Sequence, residues 1–120
     1  MKVRGLDHIV LNVADVERSV AWYRDRLGLE PERLEEWRRN EVPFPSVRVN
    51  VETIIDILRA ERSGTNMDHV CLVVDDIQPL VDDSALEILE GPVERFGAQG
   101  TATSIYVFDP DENLVELRSY

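Results

Sequence analysis

A chain of 120 residues and 13.7 kDa that is 43% hydrophobic, with 6 Gly and 6 Pro, has the length of one ordinary domain and enough apolar material for a core. Its single Cys71 cannot close an internal disulfide, no apolar run reaches the length of a membrane span, and Met1-Lys2-Val3-Arg4 leads straight into a strand-like segment, so a soluble cytoplasmic protein is expected. Thirteen Lys plus Arg against 24 Asp plus Glu give a net charge of -11, which repels phosphate backbones and anionic lipid, so neither nucleic acid nor membrane is an expected partner.

Residues 6 to 13 alternate or run apolar and read as a strand. Asp15 is a natural N-cap for a helix over Val16 to Leu27, where Val16, Val20, Tyr23 and Leu27 share a face and Gly28 supplies the stop. Trp22 and Tyr23 then belong to helix packing. Three further strands are expected: Leu29 to Arg38, with Pro31 marking an edge position, then Val47 to Val51, and Thr53 to Leu58. Residues 61 to 66 form a short polar linker. The second half opens with a strand over 67 to 74 and a short helix from about Asp76, with Pro79 in its first turn. Leu86 to Glu90 reads as a strand, Gly91 to Gly100 as a long loop, Ser104 to Phe108 as a strand, Asp109 to Glu112 as a turn that extends to Asn113, and Leu114 to Arg118 as the last strand.

The halves share an opening phrase. Leu6-Asp7-His8-Ile9-Val10-Leu11-Asn12-Val13-Ala14-Asp15-Val16 and Met67-Asp68-His69-Val70-Cys71-Leu72-Val73-Val74-Asp75-Asp76-Ile77 match 61 residues apart, and the same order of elements follows each. The chain reads as a tandem duplication within one domain, module one over 1 to 60 and module two over 67 to 120. A mostly β half of this size covers one sheet face with its helix and needs a partner for the other face. That partner is the second copy, from the same chain or from another, and two such sheets would enclose a cleft.

Both histidines of the chain occupy the same position of the repeat. Strand alternation puts His8 on a face with Val10 and Asn12, opposite the apolar face of Ile9, Leu11 and Val13, and His69 with Cys71 and Val73. Metal binding by histidine calls for anionic partners, and the last strand of each half carries one: Asp56 inside Ile54-Ile55-Asp56-Ile57-Leu58 and Glu116 between Val115 and Leu117. A carboxylate among aliphatic residues is costly to bury unless it is paired or bound to a cation. The His-to-acid spacings, 48 and 47 residues, agree between the copies. Cys71 reads as a small core residue before it reads as a soft ligand.

LDHIVLNVADVERSVAWYRDRLGLE, MDHVCLVVDDI, GPVERFGAQG and SIYVFDPDENLVELRSY resemble the vicinal oxygen chelate superfamily, which includes glyoxalase I, fosfomycin-resistance thiol transferases, extradiol dioxygenases and bleomycin-resistance proteins. The resemblance implies an α+β fold of two tandem βαβββ modules forming a metal-lined cup. It also implies a metal held by His8, His69 and Glu116. Members with a fourth protein ligand place a longer acid where this chain has Asp56, which is expected to tune the site or act with Glu116 as a base. The usual glycine of the DPDGN turn is Glu112 here. Arg95, in the expected loop with Gly97 to Gly100, and Tyr106 and Arg118, on the Glu116 side of their strands, are candidates for substrate contact.

The function these features imply is a divalent-metal-dependent enzyme of glyoxalase-like type. A small substrate would chelate the metal through adjacent oxygens, in isomerase, lyase or thiol-transferase chemistry. Histidine and carboxylate donors suit Mn, Fe, Co, Ni and Zn alike. The alternatives are a sequestering protein of bleomycin-resistance type without catalysis, and a small Fe(II) dioxygenase. A homodimer is expected, because half-sheets with apolar edges can satisfy one another about a two-fold axis.

Overall fold

A computed structural model describes residues 6 to 64, 67 to 97 and 99 to 120. The Met1-to-Arg4 lead-in, positions 65 and 66 of the linker, and Ala98 of the expected loop lie outside the described residues. The chain divides into two compact units, Met1–Ser63 and Gly64–Tyr120. No described helix is long and apolar enough to cross a membrane.

In the first unit, β1 (His8–Val13) is followed by α1 (Val16–Leu27), β2 (Glu30–Glu32), α2 (Leu34–Arg38), β3 (Ser46–Arg48) and β4 (Ile54–Arg59). The sheet order is β1-β4-β3-β2, with β1 parallel to β4 and the other pairs antiparallel. The helix begins and ends where the sequence places it: Asp15 is extended and its carboxylate accepts from the Arg18 amide at 3.0 Å, and Gly28 is left-handed with φ 70°. Val16, Val20 and Tyr23 pack on Leu11, Val13, Val47, Ile55 and Ile57 to make the core, with Trp22 at its margin. Asp15→Ala removes the cap and is expected to lower stability by about 1 kcal/mol, read by urea unfolding.

The second unit repeats the plan with β5 (Val70–Val73), α3 (Gln78–Val81), β6 (Glu90–Gly97), β7 (Gly100–Phe108) and β8 (Leu114–Ser119). Its sheet order is β5-β8-β7-β6, with β5 parallel to β8. Ile105, Val107, Val115 and Leu117 are fully buried on one side of this sheet. The α+β class, the duplicated strand order and the four-stranded sheets thus match the sequence reading.

Strand ends shift by a few residues, as at β3, which stops at Arg48 where the strand was expected to reach Val51, and two segments differ in kind. Leu29 to Arg38 holds only the three-residue β2, because Arg33 turns left-handed at φ 59° and ends the strand. The following Leu-Glu-Glu-Trp-Arg forms α2, which sets Leu34 and Trp37, three residues apart, against the core of the unit. In the second unit, Leu86 to Leu89 forms no strand and the expected loop over Gly91 to Gly100 is instead β6 and the turn into β7. Gly91 and Pro92 read as loop residues, but they sit at a register shift on the edge strand of the sheet, where glycine and proline are tolerated. Gly91 has φ 104°, and a Cβ there would come within 2.5 Å of the Ser104 carbonyl oxygen.

Candidate metal half-sites

Parallel pairing of first and last strands brings together the residues that the repeat singles out. In the first unit His8 pairs with Ile54, so Asp56 lies two residues further along the neighbouring strand on the same face. His8 Nε2 is 3.9 Å from Asp56 Oδ2. Ser46, directly opposite Asp56 on β3, donates its hydroxyl to Oδ1 at 2.6 Å, and Arg33 Nη2 reaches the same oxygen at 3.4 Å and also bonds the Ser46 hydroxyl. Asp56 is therefore buried with one oxygen committed and the other facing the imidazole.

The second unit builds the same arrangement from different registers. Glu116 pairs with Cys71 on β5 and Tyr106 on β7, while Ser104 pairs with Arg118. Glu116 Oε2 accepts from Ser104 Oγ at 2.8 Å and from Arg118 Nη1 at 3.1 Å, and Oε1 lies 3.2 Å from His69 Nε2. The side chains of Glu116 and Arg118 are 6% and 4% exposed, so the pair is deep in the protein. Burial pushes the Glu116 carboxyl up, but the hydrogen bonds from Ser104, Tyr106 and Cys71 and the charge of His69 outweigh it and hold the group below its ordinary value.

Each imidazole is oriented from its other side. His8 Nδ1 lies 2.8 Å from Asp7 Oδ2, and His69 Nδ1 lies 2.7 Å from Asp68 Oδ2. The Asp7 hydrogen bond raises the His8 pKa, against a smaller opposing effect of burial and with further help from the Asp56 charge. In the neutral ring, a proton held on Nδ1 by the carboxylate leaves the Nε2 lone pair directed at the acid, which is the arrangement metal-ligating histidines use.

The structure places the remaining candidates plainly. Arg95 lies on β6, not in a loop, with a half-exposed side chain bonded to Glu90, and it shares an electrostatic contact with Tyr106. Tyr106 stands beside His69, ring to ring at 6.0 Å, and burial first and Glu116 second raise its phenol above the ordinary value. Arg118 is buried, and besides Glu116 it donates to the backbone carbonyls of Arg95 and Gly100. Cys71 is exposed and so is no core residue; partial burial of its sulfur and then the Glu116 charge push the thiol up to about 11, which keeps it protonated at neutral pH. Arg33 and Ser46 were absent from the sequence-based candidates. No local signal marks them: Arg33 reaches Asp56 from a left-handed turn, and Ser46 faces it through strand register.

The donor set suits a divalent metal in type and in orientation: neutral imidazole, carboxylate, and a carboxylate behind each ring. Each unit holds a His-acid pair, and among the described residues no group of three or more His, Cys, Asp or Glu has the geometry to hold a metal ion. Glu116 reaches closer to its histidine than the shorter Asp56 does, in line with the one-methylene difference between them.

Comparison with known proteins adds an independent line. A family model described as Glyoxalase/Bleomycin resistance protein/Dioxygenase superfamily matches residues 5–117. The chain is 32% identical to a glyoxalase domain-containing protein, RDO1, of Mycosarcoma maydis, over all of this chain and 70% of that protein. It is 28% identical to a probable lactoylglutathione lyase of Vibrio parahaemolyticus, over 92% of this chain and 86% of that one. Among solved structures, the VPC_CASS1 protein from the mobile metagenome of V. Pseudocholerae superposes with a TM-score of 0.79 at 30% identity, covering 100% of this chain and 97% of the other.

Proposed function

Since the chain belongs to the Glyoxalase/Bleomycin resistance protein/Dioxygenase superfamily, we propose that it is a divalent-metal-dependent enzyme of glyoxalase-like type, with His8, His69 and Glu116 as its protein ligands. The observation that carries this reading is the twin His-acid pair, in which each imidazole presents Nε2 to a buried carboxylate oxygen and has a second carboxylate at Nδ1. The name of the Vibrio relative supports lyase chemistry on a small substrate. When bound, the cation supplies Lewis acidity toward neighbouring oxygens of that substrate.

The chain's own residues divide the other tasks. Ser104 and Arg118 fix Glu116 Oε2, so that Oε1 is the atom presented beside His69. Asp56 Oδ2 is the oxygen left to take a proton, because Oδ1 is occupied by Ser46. Arg95 and Tyr106 are read as the substrate contacts, a reading supported by the pairing of Tyr106 with Glu116 and by the electrostatic contact of Arg95 with Tyr106. The test begins with metal content: protein as purified should carry a divalent ion that a chelator removes together with activity, and a fully metal-free active protein would overturn the reading.

Asp56 tunes the site and is not an obligatory ligand. Its carboxylate is already opposed by Arg33 and stands 3.9 Å from the histidine. Asp56→Asn should keep most of the metal, by elemental analysis, while lowering turnover. Loss of metal as complete as in His8→Ala would make Asp56 a direct ligand.

The same reading includes a homodimer. Among the described residues, strands β1 and β5 each have a neighbour on one side only, and Val10 and Val73 on them are exposed. Light scattering should give twice 13.7 kDa. A monomer mass across a wide concentration range would contradict it.

A further inference from the structure

The duplication supplies an internal control. Each unit pins its strand acid with one serine and one arginine, yet the two arginines are used differently. Arg118 comes from the same strand as its acid, is 4% exposed, and spreads its guanidinium over Glu116 and two backbone carbonyls. Arg33 comes from the turn between β2 and α2, is 43% exposed, and touches Asp56 and Ser46 through Nη2 alone. Its Nε and Nη1 hydrogen-bond to none of the described residues. The guanidinium carbon lies 5.8 Å from the centre of the Phe44 ring, which gives the planar group a face to rest on.

The backbone at Arg33 adds to this. A non-glycine residue at φ 59°, ψ 21° is uncommon, and residues held there mark turns and functional sites. The turn could have used glycine at less strain; instead it carries the one side chain that reaches across to Ser46 and Asp56. Neutralising a buried carboxylate takes a single nitrogen, and the free edge of the fork, with Nε and Nη1, is the part that matches two oxygens of an oxyanion.

We propose that Arg33 is an oxyanion-recognition residue, whose open guanidinium edge binds a carboxylate or phosphate-type group of the substrate beside the His8-Asp56 pair. This rests on the reading of His8 as part of the substrate-processing site, and it defines the substrate class as a small oxyacid. In a protein of net charge -11, such a ligand needs a local cation with uncommitted donors, and Arg33 supplies one.

The test follows the Arg33 Nε-Hε resonance of the metal-free, full-length protein during titration with inorganic phosphate and, separately, with acetate. The resonance is assigned by its loss in Arg33→Gln. Saturable movement is expected, with a dissociation constant in the range of about 1 to 10 mM for the better anion; which anion saturates tells a phosphate-type from a carboxylate-type substrate. Arg33→Lys, followed like the wild type through the backbone amide shifts of Ser46 and Asp56 because lysine has no Nε-Hε, should weaken that binding by at least about fivefold, since it keeps the charge and loses the fork. No movement with either anion, or movement no larger than that of the exposed Arg59 and Arg62, overturns the proposal. Metal uptake by Arg33→Gln separates the two readings. Normal uptake with no anion response at Arg33 in the wild type sinks this inference alone, whereas a saturable anion response in a wild type that takes up no metal sinks the metal reading alone.

Discussion

Glu116→Ala is expected to cost about 3 to 5 kcal/mol of stability, the usual range when one partner of a buried ion pair is removed. Glu116 and Arg118 are both buried, and alanine would take away the carboxylate to which the Arg118 guanidinium donates, while its bonds to the two backbone carbonyls remain. Glu116→Gln should cost much less, since an amide oxygen can still accept from Ser104 and Arg118. A second substitution, Arg118→Met, made on the Glu116→Ala background, should recover a large share of the loss by removing the buried charge that Glu116 opposed. The carboxyl is held below its ordinary pKa in the fold. Its stabilising effect is therefore complete above the ordinary carboxylate value and disappears as pH falls through the lower folded value, so wild type and Glu116→Gln should converge in acid. Chemical denaturation at neutral pH and in acid checks each statement, and a Glu116→Ala cost near zero would mean that the pair contributes nothing.

His69→Ala is expected to lower metal affinity by more than about 100-fold, because outer-shell partners alone are commonly worth about 10- to 100-fold. The fold should survive this change. His69 precedes β5 and its side chain is 35% exposed, so the far-ultraviolet circular dichroism of the variant should match the wild type. Competition with a chromophoric chelator measures the affinity. Unchanged affinity in a folded variant would remove His69 from the ligand set.

Much of this was legible in the residues themselves. Strict alternation through His8-Ile9-Val10-Leu11-Asn12-Val13 separates a core face from a chemistry-bearing face, and the structure buries Leu11 and Val13 while leaving His8, Val10 and Asn12 outside. Asp15 and Gly28 bound the helix because capping depends on local chemistry that a single chain segment carries. The repeat aligned Asp56 with Glu116, and the parallel registers place both beside their histidines.

What the residues concealed has physical reasons. Glycine and proline at 91 and 92 mimic a loop, and only pairing with β7 shows them to be an edge-strand irregularity. Leu34 and Trp37 make a short helix through contacts with a core that no local window contains. The serines join the acids through cross-strand register and Arg33 through a left-handed turn, and propensity encodes neither.

The central claim is that a divalent metal is held by His8, His69 and Glu116. The most direct measurement strips the full-length protein with chelator, reloads it separately with Mn, Fe, Co, Ni and Zn, dialyses, and determines bound metal by elemental analysis. Close to one ion per chain is expected for at least one of these metals in the wild type, and almost none in a folded protein carrying both His8→Ala and His69→Ala. A wild type that retains none of them, or a double variant that retains as much as the wild type, would contradict it.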